Sequence, residues 1–224
     1  MEFVISLVVC IAVTLAVYYF LKQPVSSTST VTITNGQDGK VSNEFSGVIS
    51  VSENQGELTF SYAGWIEIDD FTYRFGERKT IFSKGGDDLS SACPALVIDA
   101  NTNSFLVILD TYGTQEIVPV SNIPAKKWIH VGIVVDQTAI NIYINGTIHT
   151  HHTLNQIPRQ NTGPVHVSPK GGFGGKIGLL QYYPNKLSPS EISGLSTVKP
   201  PNVDTNVYPP YFDSTWWIKK PQPQ

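Results

Sequence analysis

Hydrophobic and polar positions follow three successive regimes along this chain. Residues 3–21 form an apolar run without a single charged side chain. About 19 such residues make a helix long enough to cross a ~30 Å hydrocarbon layer. From residue 31 the period shortens to that of strands. Runs rich in β-branched and aromatic residues recur between turn-forming residues: VTIT, GVISVS, ELTFSYAGWIEI, KTIFSKG, ALVIDA, SFLVILDT, EIVPV, WIHVGIVV, INIYING, TIHTHHTL, VHVS and KIGLLQYY. About a dozen short strands at this spacing predict an all-β antiparallel sandwich or jelly roll. After residue 198 the pattern is lost, and a proline- and aromatic-rich stretch reads as an extended tail. The expected organisation is an anchor over residues 1–22, a polar linker over 23–30, a sandwich over 31–198 and a tail over 199–224.

Within the sandwich, Asn145-Gly146 is the strongest hairpin signal, because both residues tolerate the positive φ of a type I′ turn. Before it, Ile140, Ile142 and Ile144 alternate with Asn141, Tyr143 and Asn145, which sets the isoleucines inward. One helix is written into this region. Ser188-Pro189-Ser190-Glu191 has the form of a capping box with proline at the first helical position, and Ile192 and Leu195 would pack the helix on the sandwich.

Charge changes the picture in two ways. Charged residues are only 15% of the chain, hydrophobic residues are 41%, and the net charge is −3. Without clustered Lys and Arg, nucleic acid is excluded as a partner. The flanks of the apolar run also bear on its role. Glu2 precedes it, no small-x-small cleavage site follows, and Tyr18, Tyr19 and Lys22 fall where a membrane interface would lie. These features point to a retained anchor rather than a cleaved signal peptide or a buried core helix. Lys22 biases the large domain toward the cytosolic side. The cysteine count agrees with that side: Cys10 lies in the apolar run and Cys93 in the sandwich, so no disulfide framework is expected.

Three stretches resemble the laminin-G-like branch of the concanavalin A-like lectin/glucanase superfamily. The segment from Lys127-Trp128 to Asp136, then Ile140 to Asn145-Gly146, is similar to the family's Trp-containing strand and its Tyr-x-Asn-Gly hairpin. Gly174-Gly175-Lys176-Ile177 through Tyr183, followed by Leu187-Ser188-Pro189-Ser190-Glu191-Ile192, looks like its closing strand and helix start. Phe60 to Asp70, with Ile81-Phe82-Ser83-Lys84-Gly85 after it, matches its central Trp strand. The resemblance spans residues 31–198 and implies the jelly-roll fold, with Trp128 in the core. It implies no single function, because this fold carries enzymes, lectins and scaffolds.

Candidate chemistry is sparse. Glu67 and Asp69 share one strand face, as the nucleophile and acid of a glucanase would, but Phe71 stands where a second Glu is needed. No catalytic residue is therefore expected. His149, His151 and His152 form a small cluster without a nearby Cys or acidic residue, so polar strand residues are the expected reading rather than a metal site. Asp87, Asp88 and Asp99 are isolated. The glycines at 171, 172, 174 and 175 lack the Lys-Ser/Thr of a phosphate loop, and Asn145-Gly146-Thr147 is explained by its hairpin. No cofactor is expected.

Two functions are compatible with this sequence. The first is a membrane-anchored, non-catalytic structural protein. The anchored arrangement resembles structural proteins of large DNA viruses that link an internal membrane to a protein shell. Its partners would be the lipid bilayer and neighbouring structural proteins, the latter met by Tyr208, Tyr211, Phe212, Trp216 and Trp217 of the tail. The alternative is a cell-surface lectin-like protein that binds glycan.

Overall fold

A computed structural model describes residues 30–49, 58–198 and 200. The anchor expected over residues 1–22 and the tail aromatics lie outside the described residues. Among the described residues, no helix is long and apolar enough to cross a membrane.

Twelve strands are described: β1 (Val31–Asp38), β2 (Asn43–Phe45), β3 (Phe60–Asp70), β4 (Lys79–Lys84), β5 (Ala95–Ile98), β6 (Phe105–Leu109), β7 (Glu116–Val120), β8 (Trp128–Val135), β9 (Ala139–Ile144), β10 (Thr147–Thr153), β11 (Val165–Val167) and β12 (Gly174–Tyr183). They form two six-stranded sheets, in the orders β1-β12-β3-β8-β9-β10 and β2-β11-β4-β5-β6-β7. The pairs within each sheet are antiparallel.

Side-chain parity builds the core between the sheets. On β3, Phe60, Tyr62, Ile66 and Ile68 face inward; on β8, Ile129, Val131, Ile133 and Val135 do the same. The second sheet answers with Leu96, Ile98, Phe105, Val107, Leu109, Val118 and Val120. Fully burying each of these side chains stabilises the fold by roughly 1.5–3 kcal/mol.

The expected helix forms as α1 (Pro189–Thr197). The Ser188 hydroxyl accepts from the Glu191 amide at 3.3 Å, and the Glu191 carboxylate accepts from the Ser188 amide at 2.7 Å. The helix lies on the outer face of the first sheet, where Ile192 packs with Ala63, Val134, Tyr143, Tyr183 and Leu187. Its close approach uses Gly132: a Cβ there would meet Ile192 at 3.1 Å. The hairpin turn also forms as expected, with φ of 51° at Asn145 and 80° at Gly146.

Three expectations change. Of the strand expected over residues 47–52, residues 47–49 are bends and 50–52 lie outside the described residues, while a short strand forms earlier, at Asn43–Phe45. Its partner β11 offers only three residues, and Gly47 at φ 68° turns the chain away. Tyr143, expected on the solvent side, is only 5% exposed because α1 covers it. Trp128 is not in the core. It is half-buried at the start of β8, since the core parity belongs to Ile129 and Val131, and Trp128 shares the outward parity of His130 and Val134.

Candidate functional site

The first sheet runs between two ends. Ser61, Val135, Ala139 and Tyr183 mark one, which is also where β1 begins, with Val31 opposite Tyr182. Asp70, Trp128, Ile144 and Gly174 mark the other. Helix α1 starts at the first end beside Ser61, whose hydroxyl accepts from the Leu187 amide at 3.0 Å. Its last turn reaches the β9–β10 hairpin, where a Cβ on Gly146 would lie 3.1 Å from the Ser193 Cα. Among the described residues, the helix leaves the outer face beyond its C-terminal end uncovered.

That uncovered face holds a mostly apolar pocket of about 60 Å³. Trp65 on β3, His130 on β8, Leu179 and Gln181 on β12, and Leu195 and Val198 from α1 and its end line it. The Trp65 and His130 rings meet edge to face at 5.1 Å. His130 is only 2% exposed, and its Nδ1 has no hydrogen-bond partner among the described residues. Burial pushes its imidazole down to about 4, so the ring is neutral at pH 7. Sequence reading missed this site. The available signal was two large rings, Trp65 and His130, at the outward parity of strands whose inward parity was already fully apolar.

The residues singled out in the sequence do not converge. Glu67 and Asp69 sit on the same outer face, with Lys176 opposite Glu67 across the β12 pairing. Partial burial, then the charge of Asp69, raise the Glu67 carboxyl, and Lys176 opposes both. Both carboxylates open to solvent rather than into a cleft between the sheets. The three histidines of β10 part company. His149 Nδ1 contacts the Thr150 hydroxyl at 2.9 Å, and His151 Nδ1 the Asn141 side-chain oxygen at 2.6 Å. His152 Nε2 reaches Glu116 of β7 at 2.7 Å. No group of three His, Cys, Asp or Glu side chains among the described residues is placed to hold a metal. Asp87 pairs with Lys170 of the 169–171 turn, whereas Asp88 accepts from Ser90 and Asp99 accepts from Thr102, each within its own loop.

Two further features were not legible in the sequence. Lys84, almost fully buried at the end of β4, directs its ammonium at the Asn161 and Gly163 carbonyls and ties their loop to the strand. Cys93 is buried nearby, and burial pushes its thiol up to about 12, which leaves it an unreactive packing group. At the rim of the second sheet, Tyr112 is 73% exposed beside Ile157, next to an Asp110–Arg159 ion pair of 2.7 Å.

The fold is a two-sheet antiparallel sandwich whose outer face carries a pocket without an assembled catalytic centre among the described residues. A laminin-G-like family model of the concanavalin A-like lectin/glucanases superfamily matches residues 42–193, and the chain belongs to that family. It is 27% identical over 162 residues to an SH2 domain-containing protein A of Arabidopsis thaliana. That match takes in 62% of this chain and 25% of the relative, so the chain spans a quarter of that protein's length. Among solved structures it is similar to domain 4 of AbnA, an extracellular arabinanase of Geobacillus stearothermophilus, in complex with arabinotriose. The TM-score is 0.52 at 18% identity, covering 71% of this chain and 74% of that one. It is also similar to the binding domain of botulinum neurotoxin DC in complex with rat synaptotagmin II, with TM-score 0.53 and 15% identity, over 75% and 46% of the two chains. At these identities the likeness speaks for the fold.

Proposed function

We propose that this protein is a non-catalytic binding domain, tethered to a bilayer by residues 1–22, which docks on a neighbouring protein through its aromatic tail. One observation carries this reading: the two segments leave the sandwich far apart. The chain enters at Val31, beside Tyr182, whereas α1 ends at the opposite side of the sheet, by the Asn145-Gly146 hairpin. A domain held at its entry end therefore launches residues 199–224 from the half farther from the tether. Tyr208, Tyr211, Phe212, Trp216 and Trp217 suit protein docking, since Trp and Tyr dominate binding hot spots. Tyr18, Tyr19 and Lys22 would mark the membrane interface. The setting that fits is a minor capsid component linking an internal membrane to a protein shell, with the domain on the cytosolic side.

Flotation on liposomes tests it. The full chain should float, and a variant lacking residues 1–22 should not. A Trp216→Ala/Trp217→Ala variant should still float but lose its co-purifying shell protein. Loss of flotation in the tryptophan variant would assign the tail to the bilayer instead.

Exposed Tyr112 favours a second reading, glycan binding. Tyr112 is exposed, Gln156 lies against the neighbouring Gly113 and Arg159 pairs with Asp110 two positions before Tyr112, so a stacking ring stands on a stretch that also carries hydrogen-bonding groups. Titration with arabino-oligosaccharides decides this: saturable binding abolished by Tyr112→Ala supports it, and no binding removes it.

A further inference from the structure

Several loops meet at the end of the first sheet away from Val31. β3 finishes there at Asp70, and β8 begins there at Trp128. The loop 71–78 joins β3 to β4, and within it Phe75 is 68% exposed. The turn after β1 carries Val41, 52% exposed. The Lys40 ammonium lies 4.8 Å over the Tyr73 ring, so these two loops stand side by side. Each exposed apolar side chain directly follows a cation, as Lys40-Val41 and Arg74-Phe75.

The loop around Phe75 is pinned on both flanks. The Arg74 guanidinium donates to the Lys170 and Gly172 carbonyls and pairs with Glu77 at 2.6 Å. The Tyr73 hydroxyl donates to the Gly171 carbonyl at 2.9 Å, and the Gly76 amide to the Ala100 carbonyl at 3.0 Å. Arg74 takes a left-handed backbone, φ 51°, within this shape. So firmly held a loop keeps a phenyl ring in water, where it adds no burial to the isolated domain. The cost of ordering it is met before any partner arrives.

Charge selects the partner. Lys40, Arg78 and Lys170 are exposed at this end. The loop ahead of β8, tied to β3 by the Lys126 amide on the Ile68 carbonyl at 2.7 Å, adds exposed Lys126 and Lys127. Carboxylates lie among them, and most are engaged. Asp38 accepts from the Lys40 amide, Asp70 from Thr72 and Asp99 from Thr102, while Glu77 pairs with Arg74 and Asp87 with Lys170. Glu67 stands opposite Lys176 on β12, and Asp69 is exposed. Two apolar side chains on separate loop tips, flanked by long cationic stems, match a fluid anionic surface. Such a surface takes up a protruding ring without a socket cut to its shape, and the stems reach its headgroups.

We propose that this loop end docks on an anionic lipid surface, with Phe75 and Val41 entering the boundary between headgroups and acyl chains and Lys40, Arg78, Lys126 and Lys127 meeting the headgroup anions. The surface it meets is a second one, facing the sandwich from the side opposite the proposed tether.

A label at the tip tests this in the full chain. Phe75→Cys in a Cys10→Ser background takes one nitrobenzoxadiazole fluorophore, because Cys93 is buried. The labelled chain is incorporated in neutral phosphatidylcholine vesicles, and protein-free vesicles are then added. Vesicles with about 30% phosphatidylserine should shift the emission to the blue and cut iodide quenching at least about threefold, whereas phosphatidylcholine vesicles should do neither. Arg78→Glu/Lys126→Glu/Lys127→Glu should abolish the response, and the same label at Tyr112→Cys should stay silent. No response on either vesicle would leave the tip to an acidic protein partner and overturn the proposal. A response that is equal on both lipids, shared by the Tyr112 label or unchanged by the charge reversal would mean that the fluorophore inserts by itself, which overturns it too. The comparison holds whether or not residues 1–22 anchor the chain, so failure of the tip and failure of the tether are told apart.

Discussion

Unfolding exposes the His130 imidazole to water, where it binds a proton at about 6.5 rather than at about 4. The folded chain keeps the ring neutral because Trp65, Leu179, Leu195 and Val198 surround it with apolar surface, and His130 is the only ionisable group in that lining. Between these two values the unfolded chain holds more protons, so stability rises with pH across the window and falls as pH drops through it. The loss from pH 7.5 to pH 5 should be about 2 kcal/mol from this residue. Urea denaturation at the two pH values measures it, and His130→Gln should flatten the difference; an unchanged slope would place the acid sensitivity elsewhere. Trp128 belongs to the same scale. A packed core tryptophan would lose about 3–5 kcal/mol on truncation. Half-buried at a strand end on the outer face, Trp128→Ala should lose only about 1–2 kcal/mol in urea.

At the scale of elements, α1 joins local and tertiary determinants. Ser188 supplies the cap and Ile192, fully buried, supplies the packing. Ser188→Ala should cost about 1 kcal/mol through the lost cap. Ile192→Ala should cost about 3 kcal/mol through the cavity left over Gly132 and Tyr143. Hydrogen exchange of residues 189–197 reads both, and opening of the helix ahead of the sheets is the expected order. This helix was legible because its signals are local: a serine, a proline and a glutamate within four residues. The hairpin at Asn145-Gly146 was legible for the same reason. What the sequence did not disclose is which face of a strand a second layer covers. Tyr143 alternates with isoleucines and so reads as solvent-facing, and only the return of residues 184–198 across β8 and β9 buries it. Trp128 illustrates the converse. It resembles a core position by motif, but its parity is outward, and parity depends on the register with β3, where Glu67 stands opposite. The pocket at Trp65 and His130 was hidden in the same way, since its walls come from β3, β8, β12 and α1, which are distant in sequence.

For the whole molecule, the two sheets are held together by more than their core. The β7 and β10 edges are joined by the His152–Glu116 contact, and the Glu116 carboxylate also accepts from the Asn155 amide at 2.7 Å. Lys84 at the end of β4 ties the 161–163 loop to the second sheet. Among the described residues these contacts tie the sandwich at two places, and the proposed function assigns the tail to a partner. Deleting residues 208–224 tests that division. Among the described residues the main core cluster runs from Ile33 to Tyr182, and on the proposed reading the five aromatics removed serve a partner instead. The truncated chain should keep its melting temperature to within about 1–2 °C, a shift that corresponds to a few tenths of a kcal/mol for a domain of this size. On the proposed function it should also keep its attachment to liposomes, because the proposed tether, residues 1–22, is at the other end. Association with a neighbouring protein should be lost, by an amount that truncation of two tryptophans alone nearly reproduces, since hot spots concentrate binding energy in few residues. A drop of several degrees with association intact would make the aromatic stretch a part of the fold. The sandwich would then have to engage a partner through its own faces, with the Tyr112 rim the first surface to mutate.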